Sequence, residues 1–118
     1  MDFIRAMETP VQKQRRTMES PEQARRREAA KMYLMMMGMS PNLIGFYYLA
    51  ECVALAAEKY SEGDWMIYVS KLMEQVAIDR KKSTASIEKA IRYAIEKSCC
   101  SPEITAARVI NTLADMIS

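Results

Sequence analysis

Residues 82–97 read K-S-T-A-S-I-E-K-A-I-R-Y-A-I-E-K. Ile87, Ala90, Ile91, Ala94 and Ile95 recur at i, i+3, i+4, i+7 and i+8, which puts them on one face of an α-helix. Ser86, Glu88, Lys89, Arg92, Tyr93 and Glu96 fall on the other face. Ser83 or Thr84 can cap the start by accepting a hydrogen bond from a backbone N–H that has no partner inside the helix. Upstream, Arg80, Lys81 and Lys82 form a basic turn. Before them L-M-E-Q-V-A-I-D (Leu72–Asp79) puts Leu72, Val76 and Ala77 on one side, enough for a short helix. Two helices across a tight turn, over about residues 72–97, are the pattern of a helix-turn-helix, whose second helix enters the major groove. The same spacing suits an ordinary amphipathic helix with a solvated charged face, and the pattern alone leaves both open.

The surrounding chain sets the frame. At 118 residues, half of them hydrophobic, it has room for one core. No run approaches the ~18 apolar residues of a membrane span. The first ten residues, M-D-F-I-R-A-M-E-T-P, lack the apolar centre of a signal peptide, so a cytoplasmic protein is expected. Cysteine usage agrees. Cys52 lies in an apolar stretch and Cys99 and Cys100 are adjacent, so no disulfide framework is implied.

A net charge of +2 conceals an uneven distribution. Residues 80–97 carry +4, residues 1–31 carry +3, and the remainder carries −5. Positive charge confined to two segments of an otherwise acidic chain is a plausible electrostatic footprint for phosphate.

Elsewhere the helices announce themselves by their caps. Residues 1–19 mix charge, polar residues and Pro10 without clear periodicity, and are expected to be a mobile arm. Residues 20–118 are expected to form the helical domain. Ser20, Pro21 and Gln23 suit the cap, first and third positions of a helix running to about Met37, with Gly38 as its stop. Its first turns are charged and its last turns apolar, so only the C-terminal half should enter the core. Ser40-Pro41 would start the next helix by the same device. From Leu43 to about Lys59 that helix is apolar on nearly every side, which marks the buried centre of a helical domain. Gly45 within it costs about 1 kcal/mol relative to alanine, which suggests close backbone packing there. Asp64 can cap a helix starting at Trp65, with Ile67, Tyr68, Val69 and Leu72 on its apolar side. Ser101-Pro102-Glu103 would open the last helix, with Ile104, Ala107, Ile110, Leu113, Ala114 and Ile117 as its stripe. No stretch alternates with period two. The expected fold is therefore all-α, a compact five- to six-helix orthogonal bundle containing a helix-turn-helix.

Motifs for chemistry are missing. There is no histidine, no phosphate-binding glycine loop, no dinucleotide fingerprint and no CxxC pair. Methionine clusters can bind soft metals, but methionine is also a flexible core filler, and Met32–Met37 suit a core or a self-association surface better. Neither an enzyme nor a metal, cofactor or small-molecule substrate is expected.

Two blocks carry a resemblance. G-M-S-P-N-L-I-G-F-Y-Y-L-A-E-C-V (Gly38–Val53) and the stretch Leu72–Glu96 are similar to the C-terminal effector domain of stage zero sporulation protein A. Gly38, Gly45, Phe46, Tyr48, Leu49, Glu51 and Ala77 match, as does the run Glu88, Ala90, Ile91, Arg92, Ala94, Ile95, Glu96. The similarity covers roughly residues 29–98, with a looser match in the last helix. It implies an all-α, six-helix domain that binds DNA through a helix-turn-helix and controls transcription. Three positions depart from the family. Ser86 and Lys89 stand where arginine is usual, and Tyr93 where histidine is usual. Lysine keeps the charge but cannot make arginine's two-pronged contact to guanine, so the DNA sequence recognised is expected to differ or to be less strictly read. The chain is also too short for a receiver domain, so the family's phosphorylation switch is expected to be absent.

With the resemblance, the residues point to a stand-alone, bacterial-type, DNA-binding transcription regulator whose partner is double-stranded DNA. Leu72–Asp79 would brace the backbone and Ser83–Lys97 would enter the major groove. Ser83 and Thr84 begin that helix. Ser86, Glu88, Lys89 and Arg92 would face bases or nearby phosphates, and Arg80, Lys81, Lys82 and Tyr93 would fix position on phosphate. A homodimer would bring two recognition helices to one duplex. The alternative is a protein-interaction module, an adaptor or antagonist of the same fold that has lost DNA binding. The missing arginine at Ser86 keeps it open.

Overall fold

The structure is a computed structural model and describes residues 20–64, 67–98 and 104–118. Among these residues five helices follow one another: α1 (Pro21–Met36), α2 (Ile44–Ser61), α3 (Val69–Arg80), α4 (Thr84–Glu96) and α5 (Ala106–Ile117). No strand occurs among the described residues, so the all-helical expectation holds. The arm expected over 1–19, Trp65, Cys99–Cys100 and the helix start expected at Ser101–Glu103 lie outside the described residues.

The centre is α2, which packs against all four other helices. Its composition explains this: ten of its eighteen residues are buried, from Gly45 and Phe46 to Ala56 and Ala57. Small residues (Ala50, Ala54, Ala56, Ala57) let neighbouring helices approach on several sides, while Phe46, Leu49 and Val53 fill the space between them. The stripe of α4 meets it with Ile87, Ile91, Ala94 and Ile95, and α3 adds Leu72, Met73, Val76 and Ala77. As expected, α1 enters the core only in its second half, through Ala30 and Leu34. Tyr33 and Met37 pack against the rim of that core, while Met32, Met35 and Met36 stay exposed. Burying a side chain of the size of Ile91 or Leu49 contributes about 1.5–3 kcal/mol, so these stripes drive the bundle together.

Helix starts divide into two classes. At α1, Ser20 Oγ accepts from the Gln23 N–H (3.0 Å), and at α4, Ser83 Oγ accepts from the Ser86 N–H (3.1 Å), as their sequences foretell. Three other starts differ from expectation. Ser40 Oγ accepts from the Asn42 N–H in a turn, and α2 begins only at Ile44, without a side-chain cap. Asp64 does not cap α3. Its backbone N–H donates to the Lys59 carbonyl and so ends α2, while α3 starts at Val69 with an uncapped, exposed Tyr68 before it. For α5 the cap is Thr105, whose Oγ1 accepts from the Arg108 N–H. The stripe of α5 is accordingly Val109, Ile110, Leu113 and Ala114, with Ile104 and Ile117 half-buried and Ala107 exposed.

Candidate nucleic-acid interface

Three helix ends in this chain close in the same way. In each, two successive backbone N–H groups fold back onto carbonyls three and five residues earlier, and the first of the two residues is left-handed. At α1 the left-handed residue is Gly38 (φ 90°) and at α2 it is Gly63 (φ 86°). At α3 it is Lys81 (φ 56°, ψ 46°): its N–H donates to the Ile78 carbonyl (3.2 Å) and that of Lys82 to the Ala77 carbonyl (2.9 Å). Lysine has a Cβ, and the left-handed region is costly for such residues. The motif closes α3 within one residue, and Ser83 caps α4 two residues later. A three-residue turn, Lys81–Ser83, thus joins the two helices, as the helix-turn-helix pattern requires.

The pair of helices is held on α2 at two points. At the first, the backbone of Gly45 lies against α4, where an added Cβ would sit 2.0 Å from the Ala90 carbonyl oxygen and 3.0 Å from the Ala94 Cβ. Only glycine permits this approach, which accounts for its presence inside a helix. At the second, Arg80, the last residue of α3, forms an ion pair with Glu51 of α2. The Arg80 guanidinium also lies 5.7 Å from the centre of the Tyr48 ring, one turn earlier on α2.

The expected contact residues fall into distinct settings. Lys81, Lys82 and Lys89 are exposed, and none pairs with a carboxylate among the described residues. Arg92 and Glu88 are both exposed and pair one turn apart on α4 (2.9 Å). Tyr93 is half exposed, with the Lys97 ammonium 5.4 Å from its ring centre. Ser83 donates its hydroxyl to Ser86 Oγ (2.9 Å), so Ser86 is tied to the cap. Thr84 is half-buried at the first turn. Arg80 is engaged with α2. The turn and the outer face of α4 therefore bring together Lys81, Lys82, Ser83, Ser86, Glu88, Lys89, Arg92 and Tyr93, and Arg80 is the one drawn inward.

One residue of this surface and two behind it had no place in the sequence reading. Ala85 is exposed on the outer side of the first turn of α4, where a turn of 100° per residue from the Ile87–Ile91 stripe puts it. Glu96, on the outer face as its spacing indicates, lines a shallow depression there with Ser86, Lys89, Ala90, Arg92 and Tyr93. Behind the surface stand Tyr48 and Glu51. The signal for Glu51 was a lone carboxylate within an otherwise uncharged run, Leu43–Ala57.

A helix-turn-helix seated on a buried central helix, with a basic turn, is the arrangement the earlier resemblance implies. The family described as Sporulation initiation factor Spo0A C terminal matches residues 30–115. The chain belongs to this family. The match takes in the second half of α1, all of α2, α3 and α4, and nearly all of α5. Spo0A C-terminal domains are helical DNA-binding regulator domains and not enzymes. Neither the curated proteins nor the solved structures contain a match to the chain.

Proposed function

We propose that this protein is a sequence-specific, DNA-binding transcription regulator of bacterial type, working in the cytoplasm where DNA is accessible, with α4 as its recognition helix in the major groove. The observation that carries this reading is the set of exposed cations Lys81, Lys82 and Lys89, none paired with a carboxylate among the described residues, on one turn-and-helix surface of a Spo0A C-terminal domain. Unpaired exposed lysines keep their full charge for a polyanion and lose no intramolecular contact on binding. In this reading Lys81 and Lys82 hold phosphates on either side of the groove. Lys89, Ser86 and the Glu88–Arg92 pair meet base edges or adjacent phosphates, and Tyr93 flanks them. Residues 20–118 act as the DNA-binding domain, and residues 1–19 as an arm. Two copies would bind one duplex as a homodimer, and the exposed Met32, Met35 and Met36 of α1 give a face for that pairing. Sedimentation as a monomer at high micromolar concentration, with and without DNA, would rule the dimer out.

One observation favours a second reading. Ser86 supplies no cation at a position where the family usually has arginine, and its hydroxyl is engaged by Ser83. A domain that has given up base reading could serve as a protein-interaction adaptor or antagonist. Selection of bound duplexes from a random pool separates the two. A regulator enriches a defined motif over successive rounds. An adaptor enriches nothing above the starting pool.

A further inference from the structure

We propose that Glu51, far from the recognition face, is a positioning residue for DNA binding: through Arg80 it fixes the turn that presents Lys81 and Lys82. The inference rests on the DNA-binding reading above and names a residue that acts behind it.

Glu51 is the only charged residue between Leu43 and Ala57. Its side chain is 17 % exposed, whereas that of Arg80 is 42 % exposed. A carboxylate that far out of water is unfavourable without a partner, and removing the partner would leave it uncompensated. Arg80 supplies that partner through one guanidinium nitrogen, and the buried Tyr48 ring supports the same group from one side. Two groups of α2, the Glu51 carboxylate and the Tyr48 ring, thus converge on Arg80, the last residue of α3. The next residue is Lys81, held left-handed where α1 and α2 use glycine. Such a conformation persists only where its surroundings over-determine it. The backbone bonds of Lys81 and Lys82 hold the turn from within, and the Glu51–Arg80–Tyr48 contact anchors the helix end from which those bonds spring.

An opposite role can be formulated: Arg80 leaves Glu51 for a phosphate, and Glu51 then competes with DNA. The half-buried Glu51 side chain stands against it, because the exchange would leave Glu51 without its partner, and so does the loss of the ring contact. The two roles predict opposite signs. If Glu51 positions, Glu51→Gln weakens binding. If it competes, Glu51→Gln strengthens binding.

The test uses the full chain, a 20-base-pair random-sequence duplex and two salt concentrations, with Glu51→Gln, Arg80→Lys and the double variant. Arg80→Lys keeps the charge but loses the planar guanidinium that meets both the carboxylate and the ring. Circular dichroism checks that each variant is folded, and amide exchange reads the turn. Each single variant is expected to bind roughly tenfold more weakly, and the double variant no more weakly than either single. The salt slope of Glu51→Gln should match the parent's, because no phosphate contact is removed. The Lys81 and Lys82 amides should exchange faster in it than in the parent. Parent-like or tighter binding by folded Glu51→Gln overturns the inference while leaving the DNA-binding reading in place. So does unchanged exchange at Lys81 and Lys82. A parent that binds no duplex overturns both.

Discussion

Gly45 of α2 and Ala90 of α4 meet backbone to backbone: the Cβ that Gly45 lacks would lie 2.0 Å from the Ala90 carbonyl oxygen. The atom in the way belongs to the main chain, so relief requires α4 itself to move. Gly45→Ala gains about 1 kcal/mol of helix propensity but forces an overpacked core, which costs about 1–3 kcal/mol and more when backbone must shift. The expected result is net destabilisation, seen as a lower urea midpoint. A midpoint equal to or above the parent's would show that the two helices are not in contact there.

Lys81 separates stability from binding. Replacing this left-handed residue by glycine relieves the backbone and should stabilise the fold by about 0.5–1 kcal/mol. If Lys81 holds a phosphate, as proposed, the same change should lower the salt slope of duplex binding by about one unit. Lys81→Ala removes the charge without relieving the backbone, so it should lose as much affinity and gain no stability. Thermal melts and titrations at two salt concentrations read both quantities from the same samples.

Arg92 and Glu88 form an exposed pair one turn apart, which contributes only about 0.3–0.5 kcal/mol to stability. Arg92→Ala should therefore melt almost as the parent does. On DNA it should cost about 1–3 kcal/mol if the guanidinium contacts a base edge, with a larger loss on the preferred sequence than on random duplex. Equal losses on both duplexes would assign Arg92 to phosphate.

Cys52 provides a pH-dependent prediction. Burial pushes its thiol up from an ordinary value of 9.0 to about 12. The folded protein therefore keeps a proton that the unfolded chain gives up above pH 9. This group's contribution is full below pH 9 and is lost as pH rises towards 12, at about 1.4 kcal/mol per pH unit. Cys52→Ala should flatten that part of the stability profile. In the native protein Cys52 should resist alkylation at pH 8 and react on unfolding, with mass spectrometry locating the label.

What the sequence made legible was whatever a short window contains. The Ile87–Ile91–Ile95 stripe, the serine caps at Ser20 and Ser83 and the apolar run of α2 each depend on neighbours within a turn or two. Phe46, Leu49, Val53, Leu72, Val76, Ile87, Ile91 and Ile95 are buried as their stripes require, whereas Ile44 and Tyr68, which lie at or before helix starts that the sequence placed differently, are exposed. The misplaced starts of α2 and α3 have a common cause. Ser40 and Asp64 have the chemistry of caps, but the backbone uses the first in a turn and the second to end the preceding helix. The Arg80–Glu51 contact spans twenty-nine positions and has no local signature, so Arg80 read as one more cation of the basic turn. Lys81 hid for another reason: nothing in a lysine's neighbours reveals that its backbone is left-handed.

The central claim, that the outer face of α4 binds DNA, rests most directly on Lys89, which is exposed and pairs with no carboxylate among the described residues. The measurement is a fluorescence-anisotropy titration of a duplex enriched from the random pool, with the parent and with Lys89→Ala, at ~0.1 M salt. The predicted result is saturable binding by the parent and a loss of about 1–3 kcal/mol for Lys89→Ala, with circular dichroism spectra that superimpose. Equal binding by the two folded proteins, or no binding by the parent, would contradict it.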